Sequence, residues 1–94
     1  NALKIPDGFS PDGDGVNDYF VIPGIEKYPN NTLRVLNRWG EEVFVRYRYA
    51  NDWSGEPNLG MRLQDGKLPG GTYFYIFETG TEDKPITGSI YINK

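Results

Sequence analysis

The chain contains neither cysteine nor histidine. Without cysteine, no disulfide and no thiolate metal site braces it. Without histidine, it lacks the commonest general base, the commonest transition-metal ligand and the side chain that titrates near neutrality. A Ser-His or Cys-His nucleophile cannot be assembled, and a zinc site would rest on carboxylates alone. Long apolar runs are also missing. None approaches the ~20 residues that cross a bilayer, so no membrane insertion of its own is expected. Lys4, Asp7 and Asp12 interrupt any signal-peptide core at the start. Cationic excess is the last absence. Ten Lys and Arg stand against 13 Asp and Glu, for a net charge of −3, which speaks against a phosphate-binding face and hence against nucleic acid. At 94 residues the expectation is one domain, residues 1–94, burying roughly 60–65% of its unfolded surface. It reads as a module cut from something larger or as a mature fragment.

Twelve Gly and seven Pro interrupt the chain too often for long helices. Between these breaks lie short alternating segments. Leu33, Val35 and Trp39 occupy odd positions, with Arg34 and Arg38 at even ones. Val43, Val45, Tyr47 and Tyr49 alternate with Phe44, Arg46 and Arg48, and Ile86, Ile90 and Ile92 with Thr87, Ser89 and Asn93. Tyr73, Tyr75 and Phe77 alternate with Phe74 and Ile76, so this strand is apolar on both faces and is expected at the centre of a sheet. Period-2 alternation rich in aromatic and β-branched residues is the strand signature. The segment Asn37-Arg38-Trp39-Gly40-Glu41 joins two such runs and predicts a hairpin over residues 32–47. The fold class expected is all-β, a small immunoglobulin-like antiparallel β-sandwich of about six or seven strands, with a partly open barrel as the alternative.

One loop stands out for its chemistry. Ser10-Pro-Asp-Gly-Asp-Gly-Val-Asn-Asp18 gathers Asp12, Asp14 and Asp18 around two glycines. Set against an EF-hand-like calcium loop, these aspartates take the third, fifth and ninth positions and the Val16 carbonyl the seventh. Ser10 stands first and Val21 last, so the bidentate glutamate is missing. Two readings remain open: a calcium site on Asp12, Asp14, Val16 and Asp18, and a structural turn in which Asp and Asn bond their own backbone. No cofactor is required for the fold class, and calcium is the one the first reading would bring. Trp39 and Trp53 each precede a turn. Both are expected to fill the core, as large side chains do in small domains. The alternative places Trp53 with Tyr47 and Tyr49 in a glycan groove.

The order of segments carries a resemblance. Ile5-Pro-Asp-Gly-Phe-Ser-Pro-Asp-Gly-Asp-Gly-Val-Asn-Asp18 opens it and Tyr28-Pro29-Asn30-Asn31 follows. Then come Leu36-Asn-Arg-Trp-Gly40, Val43-Phe44, Trp53-Ser-Gly55 and Leu68-Pro-Gly-Gly-Thr-Tyr-Phe-Tyr75, before Gly88-Ser-Ile-Tyr-Ile92 closes the chain. Over essentially its whole length the sequence resembles the gliding-motility-associated C-terminal domain, the type B sorting domain of the type IX secretion system of Bacteroidota. Trp39, Gly40, Trp53, Gly55, Gly71 and Tyr73 are the structural motif positions. Ser54 stands where Asp is common in the Trp-Asp-Gly segment, and Asp7-Gly8 replaces an Asn-Ala-like pair.

The resemblance implies a non-catalytic C-terminal module that directs a large N-terminal cargo through the type IX translocon. It also implies a PorP/SprF-like outer-membrane partner, passage through the periplasm and arrival at the cell surface or in the medium. The end of the chain at Asn93-Lys94, directly after a strand, is what a C-terminus would show. Two partner-binding surfaces are expected. Arg34, Arg38, Arg46 and Arg48 share even numbering and would project from one sheet face. A terminal strand holding Ile90 and Ile92 would lie at a sheet edge, open to strand addition. The competing class is a calcium-organised adhesion or carbohydrate-binding β-sandwich. An enzyme would rest on carboxylate pairs such as Asp12 with Asp14 or Asp52 with Glu56, in a chain short for a deep cleft.

Overall fold

The computed structural model describes residues 3–11, 18–59 and 68–93. Five strands form one mixed sheet: β1 (Gly8–Phe9), β2 (Thr32–Leu36), β3 (Glu42–Tyr47), β4 (Gly71–Glu78) and β5 (Ile86–Ile92), in the order β1-β5-β4-β2-β3. A 3-10 turn at Ile25–Lys27 precedes β2. The all-β class and the hairpin over residues 32–47 are as the alternation predicts, and β4 is the central strand. Its neighbours are both antiparallel, Leu33 lying opposite Phe77 and Ile90 opposite Tyr73.

Two features differ from the sequence expectation. The described strands number five, because the second layer over the sheet is built from irregular chain around residues 18–31 and 49–59. The other is that β5 is not the edge of the sheet. β1 covers its end in parallel, Tyr91 N–H donating to the Asp7 carbonyl at 2.7 Å and Asn93 N–H to that of Phe9 at 3.0 Å. The first and last strands of the described chain therefore lie side by side.

One face of the sheet is the core. Leu33, Val35, Tyr73, Tyr75, Phe77, Ile90 and Ile92 point into it, and Phe20, Ile22, Ile25, Tyr49, Trp53 and Leu68 close over them. At its centre the fully buried Trp53 stacks on Phe44 with ring centroids 5.0 Å apart. Phe9 packs against it at 5.2 Å, and the edge of Phe20 meets it at 6.2 Å. Each such ring removes ~150–250 Å² from water and sets the packing of its neighbours. A register shift between Val35 and Leu36 inserts an extra residue in β3, so Val43 and Phe44, neighbours in sequence, are both buried. Strict alternation assigned them to opposite faces.

Buried polar groups hold the irregular layer. The Asn31 side chain donates to the Tyr28 carbonyl and accepts from Tyr49 N–H, and Asn51 accepts from Ile22 N–H at 2.8 Å. Beside the outer edge of β3, the Asn58 amide bonds both Val45 N–H and Val45 C=O. It occupies the positions a further strand would take, and so blunts an edge that otherwise invites pairing.

Candidate interaction surface

The four arginines do not share a face. From Thr32 to Val35 of β2, before the register shift, each even position lies opposite an odd one of β3 and the reverse, Arg34 opposite Val45 and Leu33 opposite Arg46. Parity therefore changes face between the strands, and Arg34 and Arg46 project from opposite sides of the sheet. Arg34 lies on the open face, bonded to Glu78 at 3.2 Å and Glu42 at 3.1 Å. The Glu78 hydrogen bond above all holds its guanidinium above the ordinary arginine range, against the opposing effect of partial burial. Arg46 covers the Phe44 ring and meets Asp52 at 3.5 Å. Arg48 ends the strand in the left-handed region, at φ 61°. Arg38 sits in the hairpin turn.

Ile90 and Ile92 are fully buried. Strand alternation aims both side chains at the layer above the sheet, so neither presents its side chain to a partner. β1 pairs beside Tyr91 and Ile92, while Ile86–Ile90 have no strand on that side among the described residues. Of the proposed calcium set, Asp12, Asp14 and Val16 lie outside the described residues. Asp18 lines a groove with Lys4, Pro6, Tyr19 and Val21. Among the described residues, no three carboxylates come together as a metal site.

The two tryptophans part company. Trp53 is in the core, its indole N–H donating to the Glu56 carbonyl at 2.8 Å. Tyr49 is buried too, so the glycan groove of Trp53, Tyr47 and Tyr49 does not form. The Tyr49 hydroxyl donates to the Phe20 carbonyl and accepts from Trp53 N–H, and burial pushes its pKa well above the usual tyrosine value. Glu56 receives both the N–H and the hydroxyl of Ser54 at 3.0 Å, so a carboxylate two residues on serves the turn in which Ser54 stands. Gly55 is buried beside it. With Asp52 on Arg46, the Asp52 and Glu56 pair is occupied by structural contacts.

Trp39, expected in the core, is 75% exposed. The reason is its place at the tip of the β2–β3 hairpin, beyond the reach of either layer. Asn37 builds that tip. Its side-chain oxygen accepts from Trp39 N–H at 2.9 Å and Glu41 N–H at 3.0 Å, its amide donates to the Glu41 carboxylate, and Gly40 turns the chain at φ 82°. The Arg38 guanidinium lies 5.2 Å from the Trp39 ring centroid, a cation–π distance. Opposite the tip, Gly71 opens β4 and Tyr73 donates its hydroxyl to the Pro69 carbonyl at 2.8 Å.

The open face of the sheet continues from this tip. Leu36, Phe74 and Ser89 align across β2, β4 and β5, with Arg34, Ile76 and Thr87 in the next row. Phe74 and Tyr91 remain about half exposed. The alternation marked β4 as apolar on both faces and central, but not that Phe74 stays half exposed on the open one. The signal for the tip was present: a tryptophan within a turn stands outside the strand alternation that delivers side chains to a core.

The structure is thus a small all-β fold with a buried aromatic centre, an exposed hydrogen-bonded tip and an open sheet face. On that face Leu36, Phe74 and Ile76 stand among Arg34, Glu78, Thr87 and Ser89. The CHU_C type IX secretion signal domain matches residues 3–92, and the chain belongs to that family. No curated protein and no solved structure matches it. Membership gives the chain a secretion-targeting role, an interaction with the secretion machinery and export to the cell surface or beyond. No helix among the described residues is long and apolar enough to cross a membrane.

Proposed function

We propose that the domain directs an N-terminal cargo through the type IX translocon by presenting its folded surface to outer-membrane components, a PorP/SprF-like protein among them. The observation that carries this reading is the family match over residues 3–92. The surface chemistry supports it, since the most exposed large hydrophobic side chain among the described residues is an aromatic fixed on a hydrogen-bonded turn. Aromatic residues on rigid supports are what protein partners use as anchors.

The test is a fusion of residues 1–94 to the C-terminus of a periplasm-targeted fluorescent protein. It is expressed with the PorP/SprF-like partner in hosts with and without a type IX translocon. Translocon-dependent arrival at the surface or in the medium is the expected result. Fluorescence held in the periplasm of both hosts would refute the reading.

A further inference from the structure

We propose that the Arg38–Trp39 tip is the anchor by which the secretion machinery grips the domain, and that the partner inserts an acidic loop there. This rests on the export reading above and specifies its contact.

Three features of the tip point the same way. The first is preorganisation. The Asn37 side chain ties Trp39 N–H and Glu41 N–H to one oxygen, so the turn is ordered before any partner arrives and little freedom is lost on contact. Tryptophan and arginine are also the side chains over-represented at energetic anchors.

The second is unfilled polar capacity. Arg34 and Arg46 both have carboxylate partners. Among the described residues, Arg38 has none within ion-pair distance and the Trp39 indole N–H has no acceptor. Arg48, 6.0 Å from the exposed Tyr47 ring, likewise has no carboxylate within ion-pair distance among the described residues. The Arg38 site is set apart by its side-chain-bonded turn and adjoining pocket. In a chain of net charge −3, an unpaired cation there favours an anionic group.

The third is size. Between the tip and Pro69–Gly71 lies a pocket of about 160 Å³, floored by Tyr73. That volume suits a side chain, and an open groove of about 560 Å³ adjoins it at Asn37 and Arg38. Leu36 and Phe74 extend the surface onto the open sheet face beside Arg38, giving the anchor an apolar border that excludes water.

The experiment uses the fluorescent fusion in the translocon-bearing host. Trp39→Ala and Arg38→Glu are compared with the parent and with Leu59→Ala, an exposed apolar side chain elsewhere. Thermal melting of each purified chain is the folding control. The expected result is export reduced at least tenfold by Trp39→Ala and by Arg38→Glu, with parental melting temperatures and normal export of Leu59→Ala. Parental export by both tip variants would overturn the tip as anchor while leaving the export reading intact. An equal loss with Leu59→Ala would also overturn it, since the requirement would then not be local. Failure of the parent fusion would instead remove the export reading on which the proposal rests.

Discussion

The Tyr49 hydroxyl donates to the Phe20 carbonyl across 29 residues of sequence. The same oxygen accepts from Trp53 N–H at 3.0 Å, so one phenol ties the segment before the 3-10 turn to the loop after β3. Replacing it with Phe keeps the ring against Phe44 and leaves a backbone carbonyl and a backbone N–H buried without this partner. Tyr49→Phe is expected to cost about 1–3 kcal/mol. Urea unfolding would show a lowered midpoint with an unchanged slope.

Alkaline pH acts on the same group. Burial raises the pKa values of Tyr49, Tyr73 and Tyr75. In Tyr73 nearby Arg38 opposes the rise, and in Tyr75 Asp7 adds to it. The native chain therefore keeps protons that the unfolded chain releases near pH 10. The contribution is whole below that value and is lost as pH rises through the folded-state values. For Tyr49 the loss approaches about 1.4 kcal/mol per pH unit above pH 10. Melting temperature against pH should fall over this range, and less steeply in Tyr49→Phe. Equal slopes in both chains would remove Tyr49 as the cause.

Trp53→Ala deletes the centre of the aromatic cluster. Buried Trp to Ala typically costs ~3–5 kcal/mol, against a total of ~5–14 kcal/mol for a chain of this length. The variant should melt far below the parent by circular dichroism. Trp39→Ala, at the exposed tip, should stay within about 0.5 kcal/mol.

Gly80 closes the β4–β5 connection at φ 81°, and a Cβ there would collide with the Asn30 carbonyl. Both the left-handed backbone and the clash oppose any side chain. Gly80→Ala is expected to destabilise by about 2–4 kcal/mol, read from denaturant midpoints. A neutral substitution would mean that the 79–85 connection shifts freely.

Much of the sheet was legible because its causes are local. Tyr73 to Phe77 is apolar at every position, which only a central strand tolerates, and the turn chemistry of Asn37 and Gly40 marks a hairpin wherever the rest of the chain lies. The family resemblance was legible too, since the order and spacing of motifs are properties of the chain. Burial across elements was not. Trp39 and Trp53 both precede a turn, yet one lies at a hairpin tip that no layer reaches and the other under Phe9, Phe20 and Phe44. The arginines share even numbers, but pairing register decides which face a number denotes, and between β2 and β3 it reverses parity. Ile92 reads as the end of a free strand until β1, from the opposite end of the sequence, pairs beside it.

The sequence by itself determined the all-β character, the hairpin, the central strand and the family, because backbone preference, side-chain period and motif order are written along the chain. Only the tertiary structure decided which aromatic is core and which is surface, and which cations are paired. Those outcomes depend on contacts between residues far apart in sequence, and they leave Arg38 and Trp39 facing solvent.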